Sequence, residues 1–382
     1  MTGLELTFTG AEVLCPGEGL CARTLSIGEG RILPNPAGRA VELSGYMILP
    51  GIVDLHGDAF ERHLAPRRGA MPDMAEGVIA TEAELAANGI TTGVLAQFYS
   101  WEGGVRGPDY AAQVFAAIRE AQPQVVTDLR AQLRFETHML DDYEALPQKI
   151  ADWGVSYLVF NDHLPHDRLA AGKVPARLTG QALKAGRNPE VHLAMLQDMH
   201  ARSAEVPAAI DRLIGRLAGQ GIRFGSHDDH TAEDRATWRA RGATIAEFPE
   251  THAAALAAHE AGDGVIFGAP NAARGNSHKG NVSAAEMVAE GLCDALASDY
   301  HYPSLRRAVL KLVREGVCDL ARGWALLSEG PARLLGLEDR GRLAPGLRAD
   351  LVILDAATGR VAATLAGGRI SYMSGEVAAR FI

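Results

Sequence analysis

Apolar runs recur along the middle of the chain, and most of them end in polar residues. The eight runs are GIVDLHGD (51–58), GITTGVLAQ (89–97), RAQLRFETH (130–138), VSYLVFNDH (155–163), GIRFGSHDD (221–229), GATIAEFPE (242–250), GVIFGAP (264–270) and CDALASDYH (293–301). Such runs are typical of strands that are buried on both faces, and helical stretches lie between them. Eight strand–helix units predict the α/β class, with a (β/α)8 TIM-like barrel rather than an open sheet.

Helical stretches with many apolar residues are predicted at 76–88, 109–121, 189–220 and 303–316. The two chain ends differ, because short alternating segments with Gly-rich turns indicate antiparallel β structure there. We therefore predict one small β-sandwich module built from residues 1–50 and 341–382, around a barrel at 51–340. The connector 164–220 is the longest insertion, and we expect it to lie over the barrel mouth.

Composition and charge argue against some classes of partner and location. The chain has 382 residues, of which 47% are hydrophobic and 22% charged, and its formal net charge is -10. That charge provides no overall field for nucleic acid or an anionic membrane, so we expect neither as a partner. The N-terminus has no signal-peptide pattern, no apolar run is long enough for a membrane span, and four scattered cysteines indicate a reducing compartment. A cytoplasmic protein is expected, and self-association into a homo-oligomer is left open.

Metal-ligand residue types follow several of the apolar runs, often two residues apart. Residues at i and i+2 of a strand point to the same face, and barrel enzymes build their sites at the carboxyl ends of the strands. The candidate ligands are His56, Asp58, Glu136, His163, His227 and Asp299. Mixed imidazole and carboxylate ligands suit divalent ions such as Zn, Mn or Fe, and we expect two ions.

Asp299 is the candidate catalytic residue, because a carboxylate beside a metal can also accept a proton from water. It could instead cap the helix PSLRRAV, just as His163 could be an ordinary loop histidine. His138 and His301 each lie one step beyond a better candidate and are expected to be loop residues. Glu247 is placed with the substrate-binding candidates, although a metal ligand and a buried acid paired with an arginine both stay open.

Basic residues gather in two loops that follow the first and seventh runs. The first loop offers Arg62, His63, Arg67 and Arg68, and the second offers Arg274, His278 and Lys279 before a helix that begins near Ser283. Arg and Lys suit phosphate oxygens, so two such loops on one barrel face predict a phosphate-binding region. Neither loop has the spacing of a P-loop.

The segments ILPGIVDLHGD and GRLAPGLRADLVILD resemble the amidohydrolase superfamily. That resemblance implies a metal-dependent barrel flanked by a β module from both chain ends. The superfamily usually has HxH on its first strand, whereas this chain has His56-x-Asp58. HxD together with SHDDHT, AEFPET, GAPNAARGNSHKGNVSA and ASDYHYPSL is similar to a branch that acts in phosphonate catabolism.

The resemblance to this branch implies hydrolysis of a triphosphorylated ribose phosphonate to its 5-phosphate and pyrophosphate, so the expected partner is a small anionic phosphorylated sugar. It also supports His56, Asp58, Glu136, His227 and Asp299 as ligands, with Glu136 bridging two metals. Two alternatives stay open: an amidohydrolase that cleaves an amide bond, and a non-catalytic binding subunit of a phosphonate-processing assembly.

Overall fold

The structure is a computed structural model that describes residues 4–66, 73–275 and 282–382. Its strands are β1 (Leu6–Thr9), β2 (Glu12–Cys15), β3 (Gly19–Ala22), β4 (Leu25–Gly28), β5 (Arg31–Leu33), β6 (Arg39–Glu42), β7 (Tyr46–Pro50), β8 (Ile52–Gly57), β9 (Ile90–Tyr99), β10 (Asp128–Glu136), β11 (Val155–Asn161), β12 (Arg223–His227), β13 (Ile245–Glu247), β14 (Gly264–Gly268), β15 (Ala295–Ala297), β16 (Leu351–Asp355), β17 (Val361–Ala366) and β18 (Arg369–Met373). Its α-helices are α1 (Glu61–Leu64), α2 (Met74–Ala87), α3 (Pro108–Ala121), α4 (Leu146–Trp153), α5 (His166–Ala170), α6 (Leu178–Lys184), α7 (Pro189–Ala201), α8 (Val206–Leu217), α9 (Ala232–Ala240), α10 (His252–Glu260), α11 (Ala269–Arg274), α12 (Ala284–Glu290), α13 (Ser304–Arg314), α14 (Leu320–Ala325), α15 (Glu329–Leu334) and α16 (Glu376–Arg380).

Strands β8 to β15 form one parallel sheet in chain order, and each of them lies within or overlaps one of the eight predicted runs. The sheet closes on itself where Gly57 forms a parallel bridge with Asp299. Around that bridge the amide of Asp58 donates to the carbonyl of Asp299 at 2.9 Å, and the amide of Asp299 donates to the carbonyl of His56 at 3.0 Å. The predicted barrel of the α/β class is confirmed.

Two antiparallel-rich sheets from the chain ends form the predicted sandwich. One has the order β5-β4-β1-β6, and the other has the order β18-β17-β16-β7-β2-β3. Strand β7 pairs with β16 so that Ile48 lies opposite Ile353, and both side chains belong to the buried core of this module. Residues far apart in the chain thus share one sheet, while the boundaries at residues 50 and 340 stay a prediction.

The helical stretch 189–220 is two helices, α7 and α8, joined by a short 3₁₀ turn at Ser203–Glu205. Pro207 lies in the first turn of α8, where its missing N–H costs nothing, but it would break a continuous helix. The connector buries Leu164, Leu178 and Leu196 in a cluster with Trp101. Among the described residues, we find no helix with the length and apolar character that a membrane crossing requires.

Candidate metal centre

His56, Asp58 and Asp299 form the first ligand group. His56 lies in β8, Asp58 follows that strand, and Asp299 follows β15, so closure of the barrel brings the three side chains together. Each offers one ligand atom, and these atoms lie within 4.8 Å of one another. Nε2 of the fully buried His56 has no hydrogen-bond partner among the described residues. A buried lone pair of this kind fits a divalent cation, as does the imidazole–carboxylate donor set.

His163, His227 and Asp228 form the second ligand group, again with ligand atoms within 4.8 Å of one another. The sequence analysis did not propose Asp228, because it directly follows His227, whereas the pattern considered there was a spacing of two residues. Asp228 has a φ of 58°, which is uncommon for an aspartate and turns the chain sharply after the strand. Asp229 instead is buried, where it pairs with Arg235 at 3.0 Å.

Glu136 lies at the end of β10, fully buried beside the second group. Its Oε1 is 2.5 Å from Nδ1 of His163, and its Oε2 accepts hydrogen bonds from the amide of His163 at 3.1 Å and from Nε1 of Trp101 at 3.3 Å. The structure therefore brings Glu136 and His163 together. The bridging role of Glu136 between two metals stays a prediction.

Arg134 lies between the two groups, and the sequence analysis did not propose it as a site residue. Its Nη1 is 3.3 Å from Oδ2 of Asp58, its Nη2 is 3.1 Å from Nε2 of His227, and its guanidinium lies 3.8 Å from the ring centre of Phe98. The signal was present in the sequence, because Arg134 is two residues before Glu136 on the same strand and shares its face.

Glu247 lies against two of the histidines, whereas the sequence analysis placed it with the substrate-binding candidates and left a buried acid open. It is only 1% exposed, and its Oε2 is 3.0 Å from Nδ1 of His56 and 3.2 Å from Nδ1 of His227. Its Oε1 accepts from Gln132 at 2.6 Å and from Tyr157 at 2.8 Å. With Glu247 ionised, Nδ1–H of His227 donates to it, and Nδ1 of His56 lies 3.0 Å from the same oxygen, so Glu247 is placed to orient both rings.

Burial and neighbouring charges set the protonation of this centre. Burial raises the pKa of Asp299 to about 6, with the negative charge of Asp58 as the next cause. Burial also lowers the pKa of His227, which keeps its imidazole neutral as a metal ligand requires. Burial alone would raise the pKa of Glu247, but its close contacts with His56 and His227 lower it below its ordinary value.

The predicted phosphate-binding residues are only partly described. Arg62 and His63 both contact Glu84 of α2, His63 at 2.6 Å, so both side chains already have a carboxylate partner. Arg62 also lines a cavity of about 400 Å³ together with Asp58 and Tyr300, and Arg274 donates to the hydroxyl of Tyr300. Arg67, Arg68, His278 and Lys279 lie outside the described residues.

The sequence model of the Amidohydrolase family matches residues 59–379 of this chain. The chain is also 32% identical over 332 residues to the alpha-D-ribose 1-methylphosphonate 5-triphosphate diphosphatase of Escherichia coli (strain K12), covering 82% of this chain and 84% of that protein. The chain belongs to the amidohydrolase family. Members of this family generally use divalent metals, and the two ligand groups are suited to hold them.

Solved structures share the amidohydrolase fold at low sequence identity. The N-acetyl-D-glucosamine-6-phosphate deacetylase from Mycobacterium smegmatis superposes with a TM-score of 0.61 at 17% identity, covering 97% of this chain and 100% of that one. The beta-aspartyl dipeptidase from Fervidobacterium islandicum AW-1 gives a TM-score of 0.62 at 13% identity, covering 97% and 99%. At these identities the likeness establishes the fold alone.

Proposed function

We propose that this amidohydrolase is a metal-dependent diphosphatase that hydrolyses a phosphoanhydride bond of α-D-ribose 1-methylphosphonate 5-triphosphate. The products are the 5-phosphate and pyrophosphate. The observation that carries the proposal is the 32% identity to a diphosphatase of that name over most of both chains. The two adjoining ligand groups would hold divalent cations, which together with the cationic Arg134 between them would supply the positive charge that a triphosphate needs.

Divalent cations at the two groups would supply positive charge and acidify water. Asp299 accepts a proton from the attacking water, because its carboxylate lies in the first ligand group beside the expected position of that water. The water oxygen forms a bond to phosphorus while the bridging P–O bond of the anhydride breaks, and pyrophosphate leaves with the electron pair. Arg134 stabilises charge on the phosphoryl oxygens, and Arg62 and Arg274 contribute at the rim of the cavity beside Tyr300.

Pyrophosphate release from the triphosphate tests the proposal directly. Wild-type protein loaded with Zn²⁺ or Mn²⁺ is compared with chelator-treated protein and with Asp299→Asn. We expect chelation to abolish release and Asp299→Asn to slow it at least about 100-fold. Asp355→Asn, in a turn of the β sandwich, is the matched control and keeps full activity.

The same assay separates the proposal from its two alternatives. Turnover of a panel of acylated amines, without pyrophosphate release, would assign the chain to amide hydrolysis, which the deacetylase and dipeptidase folds accommodate. Tight binding of the triphosphate with no turnover by metal-loaded protein would assign it to a binding role.

A further inference from the structure

A third ligand group lies beside the metal centre but uses different residues. His138 follows β10, Asp162 follows β11, and His166 begins α5 in the long connector. One ligand atom from each lies within 4.8 Å of the other two. His138 is 5% exposed, whereas the side chains of Asp162 and His166 are 41% and 33% exposed, so solvent reaches the group from one side.

The hydrogen bonds around His138 fix which of its nitrogens carries the proton. The hydroxyl of Ser203 donates to the carbonyl of His200 at 2.7 Å, so it accepts from Nε2–H of His138 at 3.0 Å. Nδ1 of His138 then presents a lone pair, which accepts from the hydroxyl of Thr137 at 3.3 Å and also faces Oδ1 of Asp162 at 3.5 Å. The lone pair and the carboxylate repel each other across this gap, and a cation between them would bind both.

His166 faces the same carboxylate from the connector. Its Nε2 is 3.1 Å from both oxygens of Asp162, and its Nδ1 is 2.8 Å from Nδ1 of His200 near the end of α7. If Nδ1–H of His166 donates to Nδ1 of His200, Nε2 becomes free to bind a metal, and His200 would hold the ring of His166 in that orientation.

We propose that Nδ1 of His138, the carboxylate of Asp162 and Nε2 of His166 bind a third divalent cation, of zinc-like chemistry. Tetrahedral zinc with bonds of about 2.0–2.2 Å places its ligand atoms roughly 3.3–3.6 Å apart, close to the 3.1 and 3.5 Å measured here. The open side leaves the fourth position to water. This cation joins the connector, through His166, to the ends of two barrel strands, so its role is to order the connector beside the catalytic centre.

Zinc stoichiometry tests this site independently of catalysis. Metal-free wild type, His166→Ala and His252→Ala are reloaded with Zn²⁺ alone, desalted and analysed for zinc per chain by mass spectrometry. We expect His166→Ala to bind one zinc fewer than wild type. His252→Ala is the matched control, because that exposed histidine also contacts a carboxylate, Glu290 at 2.7 Å, and should lose none.

Two further readouts guard against a folding defect. His200→Ala keeps all three ligands and should weaken the third zinc about tenfold to 100-fold. Proteolysis at saturating zinc should cleave residues 164–220 faster in His166→Ala than in wild type. Equal zinc content in wild type and His166→Ala would overturn the site. If wild type never releases pyrophosphate but His166→Ala still binds one zinc fewer, the result would contradict the proposed function and still support the third site.

Discussion

Two buried histidines share one carboxylate at the base of the metal centre. Glu247 contacts Nδ1 of both His56 and His227, and it also accepts from Gln132 and Tyr157. A single acid with four partners in a dry environment has little freedom to move. It therefore fixes the tautomer and the ring direction of two candidate ligands, one in each group.

Glu247→Gln should lower zinc affinity about tenfold to 100-fold, because an amide cannot accept from both histidines with a full negative charge. Competition with a chromophoric chelator measures the affinity, and pyrophosphate release should fall in parallel. Glu260→Gln, at the exposed end of α10, is the control. Wild-type affinity in Glu247→Gln would mean that the carboxylate is structural only.

Glu61 is a half-buried carboxyl whose charge destabilises the folded protein. Burial raises its pKa to about 7, with the charge of Asp58 as the next cause, and its Oε1 has no hydrogen-bond partner among the described residues. Because the folded pKa lies above the unfolded value, the stability that the protonated acid provides is present below about pH 4.5 and is lost as the pH rises through 7.

Glu61→Gln should therefore have a free energy of unfolding about 1–2 kcal/mol higher than wild type at pH 8. Near pH 4.5 the two proteins should be equally stable. Chemical denaturation of the chelator-treated proteins at both pH values measures this difference. Glu120→Gln, exposed on α3, should show no such pH dependence. If the stability of Glu61→Gln depended on pH in the same way as that of wild type, Glu61 would be ionised in the folded protein.

At the scale of elements, the contact between the first and last barrel strands positions the first ligand group. Buried Asp54 accepts from the amide of Ser298 at 3.0 Å and from its hydroxyl at 2.5 Å. Gly57 lies against this contact, because a β carbon there would be 2.8 Å from Oδ2 of Asp54, 2.8 Å from the ring of Tyr302 and 2.9 Å from Oγ of Ser298.

Gly57→Ala should cost about 1–3 kcal/mol, because the added methyl forces the two strands apart. Zinc binding should fall as well, since His56 and Asp58 flank the glycine. Thermal unfolding and zinc content measure the two effects. Gly180→Ala is the control, because its β carbon would meet nothing within 4 Å and alanine favours the helix α6. Equal effects of the two substitutions would contradict the steric argument.

At the scale of the whole molecule, the chain after the barrel ties back to the amino ends of the barrel strands. Arg340 is 6% exposed, and its guanidinium donates to Asp128 at 2.6 Å, to Thr92 at 2.8 Å and to Asp339 at 2.8 Å. Asp128 begins β10 and Thr92 is near the start of β9, so this contact lies at the end of the barrel opposite the metal centre.

Arg340→Met should destabilise the protein by about 1–3 kcal/mol, because it removes the hydrogen bonds of a buried guanidinium to Asp128, Thr92 and Asp339. The rate of pyrophosphate release at low temperature should stay unchanged. Urea denaturation measures the loss. Arg342→Met removes an exposed cation 3.6 Å from Glu329 and should change stability by less than about 0.5 kcal/mol. A similar loss in both variants would contradict the role of burial.

The apolar runs, the terminal β segments and the polar strand ends follow from the sequence by itself, because burial on both faces and parallel pairing leave a local pattern. That pattern was enough to predict the barrel, the sandwich and the convergence of His56, Asp58 and Asp299. Only the tertiary structure showed which side chains contact the ligand histidines, because residue spacing along the sequence does not predict those contacts. The left-handed turn at Asp228 selects it over Asp229, and the burial of Glu247 under two histidines depends on contacts between separate strands. These contacts form only when the barrel closes and brings together side chains that are far apart in the sequence. A local sequence pattern therefore cannot predict them.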